Sequence, residues 1–161
     1  MGNFDYLKKE KRFDTFSDVA IAAEKVLYID PGLCVMNCRR AMEFAIKWMY
    51  SVDASLTKPY QDNLISLMNT EEFKDIIDVD LFKRMDYIRK IGNDGTHNAR
   101  KVTEEKAILC LENLHIFFDF VSYCYADNYV EQSFDKSLLT KEVEPPKTTE
   151  ISDIDLDKLI A

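Results

Sequence analysis

The stretch Thr103–Ala126, TEEKAILCLENLHIFFDFVSYCYA, decides the fold class. Thr103 is a residue type that accepts a hydrogen bond at a helix start, and Glu104 and Glu105 place negative charge in the first turn, where the helix dipole favours it. The residues that follow include neither proline nor glycine, so the helix can continue for about 24 residues, or roughly 36 Å. The stretch predicts the central helix of a helical bundle, with aromatic side chains that bury large areas in its second half.

The same stretch is the most apolar part of the chain, but Glu112, Asn113, His115 and Asp119 interrupt it. Each of these side chains is costly in hydrocarbon. We therefore expect a core helix rather than a membrane span, and no membrane partner. His115 is interpreted as a core histidine whose ring is hydrogen-bonded, rather than as a ligand or a base.

Outward from this helix, apolar residues recur at helical spacing through nearly all of the first 126 residues, and no alternating run suggests a sheet. The fold class is therefore all-α, a compact helical bundle. Five further helices are predicted, over 16–27, about Pro31–Val52, Gln61–Met68, Glu71–Ile77 and from Asp80 to Gly92. The first two should form a hairpin around Asp30-Pro31-Gly32, and Gly92 should end its helix as a left-handed cap.

The 161 residues carry 47% hydrophobic side chains, enough to bury a single core, and 21 Lys and Arg against 29 Asp and Glu give a net charge of −8. Such a molecule repels phosphate backbones as a whole, so any contact with DNA or RNA needs a local basic patch. We predict a bundle domain over 1–140. The sequence after it, 141–161, has the composition of an acidic flexible tail or linker.

The four cysteines and the absence of a signal peptide favour reduced thiols in a cytoplasmic protein. Cys34 and Cys38 are spaced to share one helix face and could supply two metal ligands. Because no third and fourth ligand is evident, we expect buried thiols. The sequence predicts no metal site and no cofactor.

The window from Arg89 to His97, RKIGNDGTH, is the part of the sequence that could carry chemistry. Its two glycines suggest a short loop between two helices, over 92–97, on which Asn93 and His97 present hydrogen-bonding groups. Residues 83–101 include six Lys or Arg against Asp86 and Asp94, a local charge of +4. A histidine beside an arginine can move a proton while the arginine stabilises a phosphorane-like charge.

The candidate catalytic residues are accordingly His97, Asn93 and Arg89, and the candidate binding residues are Arg39, Arg40, Glu43, Lys90, Arg100 and Lys101. We expect the loop 92–97 to lie beside Arg40 and Glu43, so that the residues of the second helix form a pocket wall. The alternative is structural. Gly92 then caps a helix, Asn93 and His97 bond helix ends, Arg89 pairs with an acid such as Glu43, and the second helix carries a salt-bridged stripe.

Three aromatic residues, Trp48, Tyr50 and Tyr60, could stack on bases. Because they lie at helical spacing beside Phe44 and Met49, we interpret them as core residues.

Several dispersed segments together resemble one family. They are residues 4–10 (FDYLKKE), 38–43 (CRRAME), 47–50 (KWMY), 59–64 (PYQDNL), 88–93 (IRKIGN) with His97, 123–125 (YCY) and 134–139 (FDKSLL). In this order they look like the helical N-terminal domain of bacterial type I restriction enzyme R subunits, the subunits that bear the helicase. The resemblance covers about residues 3 to 140.

The resemblance implies a helical fold similar to the HEPN superfamily and an accessory domain in a restriction-modification complex. The sequence contains no Gly-x-x-x-x-Gly-Lys-Ser/Thr loop for ATP phosphates and no convincing Asp…Glu-x-Lys nuclease arrangement. We therefore expect a non-catalytic interaction module whose partners are other subunits or domains of a restriction complex. DNA or RNA could contact the basic patch 83–101.

The alternative that the resemblance implies is a metal-independent ribonuclease of HEPN type that uses His97, acting as a homodimer. HEPN ribonucleases carry an arginine followed by four to six residues and then histidine. Here seven residues separate Arg89 from His97, so Asn93 and His97 match the pattern and the arginine does not.

Overall fold

The computed structural model describes residues 2–98 and 101–139. Over these ranges the chain contains no strand, and its α-helices are α1 (Asp14–Lys25), α2 (Pro31–Val52), α3 (Leu64–Met68), α4 (Glu71–Ile76), α5 (Val79–His97) and α6 (Glu104–Tyr125). The all-α fold class is confirmed. The predicted tail, 141–161, and the candidate binding residue Arg100 lie outside the described residues.

Most of these helices begin where a polar side chain can accept a hydrogen bond from the first turn. The accepting residues are Asp30 for α2, Asn63 for α3, Thr70 for α4, Asp78 for α5 and Thr103 for α6. Pro31 stands at the first position of α2, where a missing amide proton costs nothing. Each cap is worth about 1 kcal/mol. The predicted caps Thr70 and Thr103 are confirmed, whereas α3 begins at Leu64 and not at Gln61.

The core is built by α1, α2, α5 and α6, with α1 and α2 as a hairpin. α6 buries residues along most of its length, including Leu111, Leu114 and Phe118. The ring of Phe118 stacks on Phe16 of α1 with centroids 5.2 Å apart. Among the described residues α6 is the one helix long and apolar enough to cross a membrane, but over half of that window is buried in the bundle, as expected of a core helix.

The two ends of the described chain meet over α6. The Asn3 side chain donates to Glu24 Oε2 at 2.6 Å and to the Asp135 carbonyl at 3.1 Å, and its oxygen accepts from the Asp135 amide at 2.7 Å. His115 is 2% exposed, and its Nε2 lies 3.2 Å from the Asn3 carbonyl oxygen. The prediction that His115 is a hydrogen-bonded core histidine is confirmed.

The prediction for the end of α5 is wrong. The helix does not stop at Gly92 but continues to His97, and no described glycine has a positive φ. An added Cβ on Gly95 would lie 2.6 Å from the Gly32 carbonyl oxygen, and one on Gly92 would lie 2.5 Å from Arg39 Cβ. The glycines therefore let α5 approach α2 closely, rather than letting the backbone turn.

The core interpretation of the three aromatic residues is confirmed for two of them. Trp48 packs edge-on against Phe13 and Tyr125, with centroids 5.3 and 5.4 Å away. The Tyr50 hydroxyl donates to the Leu67 carbonyl at 2.6 Å. Tyr60 is fully exposed, because it precedes α3 in an irregular segment and not on a packed helix.

Candidate functional site

The candidate catalytic residues lie on the last turns of α5. Asn93 is half-buried and His97 is exposed at the helix end. The Thr96 hydroxyl donates to the Gly92 carbonyl at 3.2 Å, and the Asn98 amide donates to the Asp94 carbonyl at 2.7 Å, as in a continuing helix. Residues 92–97 therefore form the end of a helix, and not the constrained loop that the sequence predicts.

The contacts of the two glycines fix how α5 lies on α2. Gly92 faces Arg39, and Gly95 faces Gly32, Val35 and Met36, so the two helices run antiparallel. We call this contact the glycine seam, defined by Gly32, Gly92 and Gly95. At 1.5 Å of rise per residue, His97 lies about 13 Å along the axes from the level of Glu43. The register pairs residues 92–97 with residues 32–39, which end one position before Arg40, so Gly92 lies near the predicted pocket wall and His97 is not beside Glu43.

The charged residues of α2 pair with one another. Glu43 Oε1 accepts from Arg39 at 3.2 Å, and Glu43 Oε2 lies 3.0 Å from Lys47 Nζ. The Arg39 stem covers Gly92, and its Nε is buried without a hydrogen-bond partner among the described residues. The Arg40 guanidinium lies 5.6 Å from the centroid of the Phe44 ring. The salt-bridged stripe is confirmed, and Glu43 is not the partner of Arg89.

An acidic residue of α5 partly neutralises the basic residues of the same helix. Asp86 accepts from Arg89 at 2.9 Å and from Lys90 at 3.0 Å, so one carboxylate holds two of the candidate cations. These contacts help to hold the pKa of Asp86 below its usual value, against the burial that raises it. Arg84 donates to Asn113 Oδ1 at 2.8 Å. Lys101 is exposed.

Three of the four cysteines, Cys34, Cys38 and Cys110, are buried free thiols, and Cys124 is exposed. Contact with Cys38 and burial raise the pKa of Cys34, and burial raises that of Cys38. Within 2–98 and 101–139, no group of three or more His, Cys, Asp or Glu side chains is arranged to hold a metal ion.

The opposite end of α5 opens a groove against α6. This α5–α6 groove has a volume of about 460 Å³ and is lined by Asp78, Asp80, Leu81, Arg84, Ile116, Asp119, Phe120, Tyr123 and Tyr129. Sequence reasoning did not single it out, since its residues come from three separate segments. The available signal was Tyr123, an aromatic residue off the buried stripe of α6.

A second, smaller cleft of about 250 Å³ lies between the N-terminal segment and the end of α6. Its wall includes Tyr6, whose hydroxyl is buried without a hydrogen-bond partner in the described part of the chain. Burial raises the pKa of Tyr6 well above its usual value. Tyr129 borders both clefts, and burial together with Asp119 raises its pKa to about 12.

One protein family matches residues 21–153, which span the glycine seam and the α5–α6 groove, and its description is Domain of unknown function (DUF4145). The chain belongs to this family. The DUF4145 match begins within α1, so the N-terminal segment that carries Tyr6 precedes it. No curated protein and no solved structure matches the chain. Membership of DUF4145 brings no assigned activity, so the function has to be argued from the geometry.

Proposed function

We propose that this chain is a non-catalytic helical module that docks a protein partner within a larger DNA-processing enzyme, as the resemblance to the N-terminal domain of type I restriction R subunits implies. The observation that carries the proposal is the glycine seam. The glycines of the candidate catalytic window are used to bring two helices together, and His97 is left exposed at a helix end.

The geometry gives the ribonuclease alternative little support. Arg89 and His97 lie eight residues apart on one helix, about 12 Å along its axis. The Arg89 guanidinium is held by Asp86 at 2.9 Å. A proton-transfer group and a charge-stabilising group must both reach one phosphodiester. Neither of the two clefts described above is lined by Asn93, His97 or Arg89.

Electrostatics also favour a protein partner over nucleic acid. The net charge of the chain is −8. The +4 predicted for 83–101 is carried by residues that the structure pairs in part, since Asp86 binds both Arg89 and Lys90. A phosphate backbone is attracted by an unneutralised cationic surface, and salt-bridged cations contribute less to it.

Two experiments test the proposal. Purified chain incubated with single-stranded RNA in the presence of a chelator is expected to leave the RNA intact, as is the His97→Ala variant. Cleavage by the wild type that is lost in His97→Ala would contradict the proposal and establish the ribonuclease. In the second experiment, the chain is mixed with the methyltransferase and specificity subunits of a type I system from the same organism. Co-elution from a sizing column is expected, unchanged by His97→Ala.

A further inference from the structure

The α5–α6 groove has an apolar floor. Leu81 on α5 is 5% exposed, and Ile116 and Phe120 on α6 are partly buried against the core. Val79, between the groove residues Asp78 and Asp80 in sequence, is 70% exposed. The groove thus brings apolar side chains from the first turn of α5 and the second half of α6 together beneath a polar rim. An apolar floor with a polar rim is typical of a docking site.

Two tyrosines stand at one end of the groove. Tyr123 is 68% exposed, and its ring meets that of Tyr129 edge-on with centroids 5.4 Å apart. The Tyr129 hydroxyl donates to both oxygens of Asp119, at 2.9 and 3.1 Å, and Asp119 also accepts from the Gln132 amide at 3.0 Å. The Tyr129 ring is therefore held in place, and Tyr123 projects beside it.

The rim is acidic. Asp78, Asp80 and Asp119 line the groove with one cation, Arg84, whose guanidinium donates to Asn113. Nowhere in 2–98 and 101–139 does a Lys or Arg form an ion pair with any of these three carboxylates. The groove therefore combines two net negative charges with aromatic rings, and this is the combination that binds guanidinium and ammonium groups.

We infer that the α5–α6 groove is the docking site for a partner protein segment that carries arginine or lysine among apolar residues. The cation lies against the Tyr123 and Tyr129 rings and faces Asp80 and Asp119, while apolar residues of the segment cover Leu81, Ile116 and Phe120. A nucleic acid is repelled by the same carboxylates. This inference rests on the proposed function, because it names the surface and the chemistry by which the module docks.

The test uses the full chain and a fluorescein-labelled peptide, Arg-Leu-Arg-Leu-Arg-Leu, followed by fluorescence anisotropy at physiological salt. A peptide with glutamine in place of arginine is the probe control. Tyr123→Ala is expected to weaken binding about fivefold, in line with the loss of a cation–π contact, and Asp80→Asn about threefold. Asp94→Asn removes the same charge from the exposed, far end of the same helix and is expected to leave the affinity within twofold of wild type.

Equal weakening by Asp80→Asn and Asp94→Asn would show non-specific attraction to an acidic protein and would overturn the inference. So would an unchanged affinity for Tyr123→Ala, equal binding of the glutamine peptide, or no binding of the arginine peptide. Thermal melts of each variant check that it is folded, which is expected because Tyr123, Asp80 and Asp94 are exposed.

The two proposals fail in distinguishable ways. If the chain co-elutes with restriction subunits but the peptide does not bind, the groove assignment is wrong and the docking function stands. If the peptide binds in the groove but His97-dependent RNA cleavage is found, the non-catalytic function is wrong and the groove remains a binding site.

Discussion

The two ends of α5 pack differently against their neighbouring helices. At its C-terminal end, Gly92 and Gly95 lie against Arg39 and Gly32 with no room for a Cβ. At its N-terminal end, Asp78 and Leu81 line a groove of about 460 Å³ together with residues of the second half of α6. We call the C-terminal end of α5, packed against α2, the closed end, and the N-terminal end, beside the groove, the open end. The candidate catalytic residues Asn93 and His97 lie at the closed end.

The difference shows what glycine means in a helical sequence. Glycine is used where a backbone must turn and also where two backbones must approach, since both uses depend on the missing Cβ. The sequence of residues 92–97 fits either use. The contact that distinguishes them, between Gly95 and the Gly32 carbonyl, lies 63 positions away along the chain and cannot be deduced from local pattern.

The largest effect is expected at the closed end, from Gly95→Ala. The new Cβ would lie 2.6 Å from the Gly32 carbonyl oxygen and 2.7 Å from Val35 Cγ2, and backbone cannot move aside cheaply. Overpacking of this kind outweighs the gain of about 1 kcal/mol in helix propensity. We expect the free energy of unfolding to fall by about 2 kcal/mol, measured by urea denaturation.

Asp94→Ala is the matched control for this change, since Asp94 is exposed one residue away on the same helix. Its stability should stay within about 0.5 kcal/mol of wild type. If Gly95→Ala were as stable as wild type or more so, the close contact of α5 with α2 at Gly95 would be contradicted. The only effect of the glycine would then be to lower helix propensity.

A smaller loss is expected at the open end, from Asp78→Ala. Asp78 Oδ1 accepts from the Leu81 amide at 2.7 Å and caps α5. Removing an N-cap costs about 1 kcal/mol. Asp78→Asn, which keeps a capping oxygen, should recover most of that stability in the same denaturation experiment. A loss equal to that of Gly95→Ala would contradict the expectation that the glycine seam tolerates substitution less than the cap does.

The buried His115 of α6 adds a prediction on the pH dependence of stability. Burial lowers the pKa of His115, opposed by Asn3 and Asp119. The unfolded chain therefore takes up a proton near pH 6.5, before the folded protein does. The contribution of His115 is fully present above about pH 6.5 and is lost as the pH falls through its lowered folded value. Denaturation midpoints measured between pH 7.5 and 5 should decline.

His115→Gln should reduce that decline. Glu24 acts in the opposite direction, because burial raises its pKa and the folded protein gains stability as this carboxyl is protonated. The difference in the pH dependence of stability between wild type and His115→Gln gives the contribution of His115. An identical pH profile for the two proteins would mean that His115 is not the group responsible.

The smallest effect is expected for His97→Ala. His97 is exposed on the last turn of α5. A substitution at such a position changes stability by less than about 0.5 kcal/mol. A loss above 1 kcal/mol in thermal or urea unfolding would mean that the imidazole has a structural role that its exposure does not indicate.

Much of the fold could be predicted from local chemistry. The predicted helix over about Pro31–Val52 and the Thr103 cap are confirmed, because proline, threonine and acids act within one helical turn. His115 could be assigned to the core since it lies within the apolar stretch of the central helix. Such features depend on neighbours in sequence.

The candidate site could not be predicted in the same way. Its residues were chosen for their chemistry, but their surroundings are set by the register between helices, as where the Arg39 side chain of α2 covers Gly92 of α5. The α5–α6 groove was missed for the same reason. Asp80, Phe120 and Tyr129 meet only after α5 and α6 have packed and the following segment has folded back.

The most direct test of the account is an amide chemical-shift map of the labelled full chain during titration with the Arg-Leu-Arg-Leu-Arg-Leu peptide. The account predicts that the resonances that shift most cluster at residues 78–84 and 116–129, at the open end of α5. Residues 92–97 should keep both their helical shifts and their positions. Shifts concentrated at Asn93 and His97, or non-helical values there in the free protein, would contradict it.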